Sequence, residues 1–167
     1  MKLNSLQALY KEQLQDLHSA EEQLTKALPK MAKTASSPQL RTAFEQHLEQ
    51  TKGHAERIER IFRDLGGSPN GKKCKGMEGL IAEGEEMIKE NADPDVKDAG
   101  LIAAANRVEH YEIAGYGTVR TYAKLLGRNQ DAMLLQQTLD EEGDADKKLT
   151  QLAESGINLE AASGSAH

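Results

Sequence analysis

Tryptophan is absent from these 167 residues, and the only other aromatic rings besides histidine are two Phe and four Tyr. Sandwich and barrel cores draw on aromatic and β-branched side chains, so this scarcity argues against an all-β fold. A single cysteine, Cys74, excludes an internal disulfide and suits a reducing compartment. No apolar run approaches the roughly 20 residues that a membrane helix needs. The opening MKLNSLQALYKEQ lacks both an uninterrupted apolar stretch and a small-residue cleavage site. Neither a membrane partner nor a leader is expected, and the cytoplasm is the expected location. Basic charge is also short: 21 Lys and Arg face 27 Asp and Glu, for a formal charge of −6. A chain with pI near 5.4 offers no basic face to DNA or RNA, so no nucleic-acid partner is expected. The one dense basic patch, Lys72, Lys73 and Lys75, reads as a solvated loop, and Cys74 within it as an ordinary thiol.

What remains is helical periodicity. At alternating steps of three and four, the first segment gives Leu3, Leu6, Tyr10, Leu14, Leu17, Glu21, Leu24, Leu28 and Met31. This is the apolar seam of an amphipathic helix with one carboxylate set into it. A carboxylate in a helix core is costly unless a cation, a metal or a proton accompanies it.

Caps and stops divide the chain into four long helices. The first is expected from Asn4 or Ser5 to about Ala35, bent in its last turns by Pro29. Ser37-Pro38 opens a second, which stops at Gly66-Gly67. After a loop over 66–76, a short helix from Met77 to about Asn91 is weakened by Gly79 and Gly84. Asp93-Pro94 opens a third long helix, to Leu126 before Gly127. A fourth begins at Asn129 to Asp131 and lasts to about Glu154, ending at Gly156. Residues 1–156 then form one domain and 157–167 a flexible tail. Two short-linked hairpins joined by nearly thirty residues predict an all-α, ferritin-like four-helix bundle: two antiparallel hairpins with one long crossover that carries a short extra helix.

Every long helix breaks its seam with polar residues. The second reads Leu40, Phe44, His47, Thr51, His54, Ile58, Ile61, Leu65, flanked by Glu49 and Gln50. The third reads Leu101, Ala105, Val108, Glu112, Gly115, Val119, Tyr122, Leu126, with Glu109 one turn before Glu112. In the fourth, Leu135, Thr138, Glu142, Ala145, Leu149 and Leu152 form the stripe, with Asp146 one turn past Glu142. Reflecting each hairpin about its turn places Glu21 opposite residue 51, between the two histidines, and Glu112 opposite residue 144. At ~1.5 Å per residue these groups all lie roughly 20–27 Å from their turns, so four helices reach one layer. Carboxylates and imidazole from four helices make the ligand set of di-iron and di-manganese bundles, and such hard donors suit iron or manganese. The competing reading is a buried polar network of His, Glu and Thr that fixes the register of the bundle. His18 and His110 fall off the seams and read as exposed or as supporting groups, and the tyrosines as core or interface rings.

SAEEQLTKALPKMA, HLEQTKGHAERIERIF, LIAAANRVEHYEIAGYGT and LDEEGDADKKLTQLA, one from each long helix, resemble the YciF/YciE-type ferritin-like stress proteins of bacteria. The likeness covers residues 5–155, and VEHYEIAGYGT is its most specific stretch. It implies a ferritin-like fold, a homodimer, a di-metal site related to that of rubrerythrin, and a role in stress responses. Carried over by position, the metal residues are Glu21, Glu109, Glu112, Glu142 and Asp146, with His54 and Glu49 from the second helix. That helix departs from the usual Glu-x-x-His spacing: Thr51-x-x-His54 stands in its frame, and Glu49-Gln50 where a Glu-Glu pair is expected. The sequence itself adds to the dimer only apolar residues beyond the seams: Ile102, Ile113, Tyr116 and Leu134.

Two functions follow. One is a di-metal protein handling oxygen, peroxide or iron, with oxidase- or peroxidase-like activity. The other is a non-catalytic stress or interaction bundle that has lost full metal loading, which Gln50 and Thr51 favour.

Overall fold

The computed structural model describes residues 3–164. Its elements are α1 (Leu6–Thr34), α2 (Pro38–Leu65), α3 (Lys75–Lys89), α4 (Pro94–Leu125) and α5 (Asn129–Leu152), then a π-helical turn (Ala153–Ile157) and α6 (Asn158–Ser163). Among the described residues there is no strand, and no helix is long and apolar enough to cross a membrane.

Local chemistry sets the boundaries. Ser5 Oγ accepts from Ala8 N at 3.1 Å, and Ser37 Oγ from Leu40 N at 3.4 Å, with Pro38 at the start of α2. Asp93 caps α4 in the same way, through Asp95 N at 3.1 Å. Gly66 and Gly127 end α2 and α4 with φ of 71°, a conformation that favours glycine. The cap of α3 is Cys74, whose Sγ accepts from Met77 N at 3.4 Å, so that helix starts two residues earlier than the sequence suggests. α1 continues through Pro29 to Thr34. At the far end the chain does not stop at Gly156. The π-helical turn carries it into α6, and Ala153 and Ile157 are buried in the core. Of the expected tail 157–167, residues 165–167 lie outside the described ones.

Side-chain contacts fix how the helices pair. Lys11 reaches Leu65 O, His18 meets Glu59, and Glu21 meets His54, so α1 and α2 run antiparallel. Arg120 with Gln136, His110 with Asp146 and Asn106 with Thr150 give the same sense to α4 and α5. α1 also packs on α4, α2 on α5, and α3 on α4 and α1. Gly115 lets α1 and α4 approach closely, since a Cβ there would lie 2.7 Å from Leu17 Cδ2.

The core has two apolar parts. One contains Leu24, Leu28, Leu40, Phe44, Leu101, Val108 and Leu149. The other contains Leu14, Leu17, Ile58, Ile61, Tyr116, Val119 and Leu135. Along α1 the order is Leu17, Glu21, Leu24, and along α2 it is Phe44, then His47, Thr51 and His54, then Ile58. On each of these helices the polar residues therefore lie between the two apolar parts. Ile102 and Tyr116, expected at an interface, are core residues at 3% and 0% exposure, while Leu3, Val96, Leu125, Met133 and Leu159 are exposed large apolar side chains.

Candidate metal centre

Burial of apolar neighbours on both sides forces the intervening layer out of water. Glu21, Thr51, His54, Glu112, Thr138 and Glu142 are all 0% exposed, and Glu109 is 1% exposed. These residues form two groups. One donor atom from each of His47, Glu109, Glu112 and Glu142 lies within 4.8 Å of every other, and the same holds for Glu21, His54 and Glu142. Glu142 belongs to both.

Donor atoms converge here without satisfying one another. His47 Nε2 is 3.1 Å from Glu109 Oε1 and 3.6 Å from Glu142 Oε2. His54 Nδ1 is 2.8 Å from Glu142 Oε1 and 3.5 Å from Glu21 Oε1. Yet both nitrogens lack an aligned hydrogen bond, as do both carboxylate oxygens of Glu112 and of Glu142, Glu21 Oε2 and Glu109 Oε2. Buried polar atoms are normally paired, because an unpaired one costs about 1–3 kcal/mol and a charged one more. Imidazole nitrogens and carboxylate oxygens orphaned around common points are the donor set that a pair of hard divalent cations would satisfy. The residues fit such a group.

The outer atoms of both rings are held. His54 Nε2 lies 2.9 Å from Glu141 Oε2, and Arg57 grips the same carboxylate with two hydrogen bonds of 2.7 and 2.9 Å. His47 Nδ1 lies 3.3 Å from Gln50 Oε1, and Thr51 Oγ1 donates to His47 O at 2.9 Å. In both cases the second nitrogen is left facing the acids, the arrangement by which an outer partner fixes the ring of a ligating histidine. Tyr116 donates its hydroxyl to Glu21 Oε1.

Charge crowding shows in the acid–base behaviour. Burial pushes Glu112 well above the usual carboxylate range, and the neighbouring Glu142, Glu21 and Glu109 push it further. Burial also raises Glu21 and Glu142, against the opposing pull of His54. For the histidines burial alone favours the neutral form, but Glu109 and Glu142 outweigh it at His47, which rises to about 9. Glu142 and Glu21 do the same at His54, which rises to about 10. Although partial burial works the other way, Arg57, Gln137 and His54 lower Glu141 to about 2.

The chain as a whole is similar to known proteins. Residues 5–162 match the family described as "Domain of unknown function (DUF892)". Protein YciF of Escherichia coli K12 is 44% identical over 162 residues, 96% of this chain and 98% of that protein. The chain belongs to the DUF892 family. The crystal structure of the E. coli stress protein YciF superposes on this DUF892 chain with a TM-score of 0.90, covering 93% of this chain and 99% of that one. A ferritin-like, di-iron-carboxylate protein from Bacillus anthracis superposes at a TM-score of 0.70 and 18% identity, over 90% of this chain and 99% of that one, a likeness of fold.

Of the seven residues singled out in the sequence, the DUF892 chain brings five together: Glu21, His54, Glu109, Glu112 and Glu142. Glu49 and Asp146 lie in neither group. Glu49 is exposed on the outer face of α2 and pairs with Lys52 at 2.6 Å, because it sits two residues from His47 on a helix and so points elsewhere. Asp146 faces His110 at 3.2 Å, one turn beyond Glu142. His47 enters in their place. Its signal was its position on the α2 stripe, which the Thr51-x-x-His54 frame overshadowed. Glu141 and Arg57 carried no signal, since they meet only through the packing of α2 on α5. His18 is buried at 3% exposure, near Glu59, rather than exposed.

Proposed function

We propose that this protein is a ferritin-like four-helix bundle, two antiparallel hairpins with the segment carrying α3 as crossover, that holds two metal ions in its polar layer. His47, Glu109, Glu112 and Glu142 would hold one ion, Glu21 and His54 the other, with Glu142 shared between them. Iron or manganese suits the donors. Two such ions, giving one electron each, would supply the pair of electrons that, with two protons, reduces hydrogen peroxide to two waters. The observation that carries the reading is the set of orphaned carboxylate and imidazole atoms in a layer sealed on both sides by apolar core.

The protein's own groups have defined parts in this. Glu141 and Gln50 hold the imidazoles so that one nitrogen of each faces the acids. Tyr116 keeps Glu21 in place through its hydroxyl. The apolar layers exclude water, which strengthens every charge interaction in the site.

A second reading, a bundle that keeps the fold without full metal loading, is favoured by α2. Among the described residues that helix brings two histidines and no carboxylate to the site. The resemblance to YciF-type proteins further supports a cytoplasmic homodimer, with Leu125 and Met133 as the two most exposed of the large apolar side chains available to it. Light scattering at micromolar concentration tests the dimer, and a monomer contradicts it. Metal analysis of protein purified without chelator tests the site. About two equivalents of iron or manganese per chain are expected. A stable protein with none supports the second reading.

A further inference from the structure

Between α2 and α5 a pocket of about 120 Å³ opens from the surface and ends on the site. Its floor is His47 and Glu109. Its walls are mainly apolar, from Ala43, Ala145 and Leu149, with Gln50 and Asp144 also lining it, and at its rim the Lys148 ammonium bridges to Gln46 Oε1. We propose that this pocket is the entry port through which a small neutral oxidant, of the size of dioxygen or hydrogen peroxide, reaches the His47 end of the centre. The inference rests on the di-metal reading above and adds the route and the residues that select what enters.

Size makes the first selection. At roughly 30 Å³ per water, the space holds about four waters, ample for a molecule of two heavy atoms and smaller than the roughly 150 Å³ cavity that holds a benzene ring. Charge makes the second. A divalent cation entering here would pass the Lys148 ammonium and then largely apolar walls, with only the amides of Gln46 and Gln50 and the exposed carboxylate of Asp144 as oxygen donors before Glu109, an unfavourable path for a hydrated ion. A neutral oxidant meets no such cost. His47 and Glu109 line the pocket while Tyr116 and Glu21 do not, so it leads to the group of His47, Glu109, Glu112 and Glu142 first. Ala145 sits half-buried on α5, between Glu142 and Leu149, where a larger side chain would fill the space without replacing a donor.

The first test needs no metal. In metal-free protein under dissolved dioxygen, paramagnetic relaxation of the Ala43, Ala145 and Leu149 methyls is expected to exceed that of the sealed core methyls of Leu14 and Leu135 severalfold. In Ala145→Phe the excess at Ala43 and Leu149 should vanish. Equal relaxation at all these methyls in the wild type would overturn the port. The second test uses protein loaded with iron(II). Ala145→Phe should leave manganese(II) affinity within about twofold and slow oxidation by added peroxide at least tenfold, while Lys148→Ala should not slow it. An unchanged oxidation rate in a variant whose pocket is closed to dioxygen contradicts the proposal. Should Ala145→Phe fail to fold, Ala145→Leu takes its place in both tests. If the protein takes up no metal, the di-metal reading fails in metal analysis while the relaxation result still decides whether the pocket admits dioxygen.

Discussion

Glu141 holds His54 from behind: its Oε2 lies 2.9 Å from Nε2, which leaves Nδ1 as the nitrogen that faces Glu142 and Glu21. Glu141 itself is fixed by two hydrogen bonds from Arg57. Losing an outer partner of this kind typically lowers metal affinity about 10–100-fold. Glu141→Ala should therefore weaken manganese(II) binding by that factor in anaerobic calorimetry, although Glu141 is outside both donor groups. Affinity equal to wild type would mean that His54 is held by packing alone.

A second prediction concerns the α1–α2 turn. Asp98, on α4 and 2% exposed, accepts from Ser36 N at 2.9 Å and Ser37 N at 2.7 Å. A hydrogen bond to a charged acceptor is worth about 1.5–3 kcal/mol, and these two are partly buried. Asp98→Ala should lower unfolding stability by roughly 2–4 kcal/mol in urea titration with an unchanged m-value. A loss below about 0.5 kcal/mol would mean that the two serine amides find other acceptors.

The helices were legible in the sequence and the long-range pairs were not. Ser37-Pro38 and Asp93-Pro94 announce their helices locally, and Glu21 stands out because one carboxylate replaces a leucine in an unbroken stripe. Asp98 carries no such mark, since its partners lie 61 and 62 residues away and nothing in its own helix requires an acid. The continuation past Gly156 was hidden for a related reason. Ile157 is buried against the core, and that burial carries the chain past a glycine that reads locally as a stop. At the site, periodicity named the layer, but choosing between His47 and Glu49 on α2 needed the rotation of that helix against α5.

Acidity provides a third prediction, for the metal-free protein. Burial holds Glu21, Glu112 and Glu142 above the usual carboxylate range, so above that range the folded chain binds more protons than the unfolded one and stability falls as pH rises. His47 and His54, raised from 6.5 to about 9 and 10, act in the same direction. Their contribution is complete below pH 6.5 and is lost as pH climbs through those values. Glu141, lowered to about 2, is lost only on acidification. The melting temperature of metal-free protein should peak near about pH 5 and decline steadily toward pH 10. A flat profile between pH 6 and 10 would contradict this account of the layer.

Glu112 offers the most direct test of the central claim, that the polar layer is built for cations. Its two carboxylate oxygens have no hydrogen-bond partner, and three other acids surround it. Glu21 is less suited, because its replacement by leucine would also strand the Tyr116 hydroxyl. The measurement is a set of four thermal melts: wild type and Glu112→Gln, each metal-free and with excess manganese(II), at pH 7.5. The wild type should gain stability from the metal by mass action, about 2.7 kcal/mol at 100 times the dissociation constant. Glu112→Gln should melt at or above the metal-free wild type and respond far less to manganese. A wild type that ignores the metal, together with a variant several kcal/mol less stable than metal-free wild type, would show instead that Glu112 serves a structural network and that the layer was not built to hold metal.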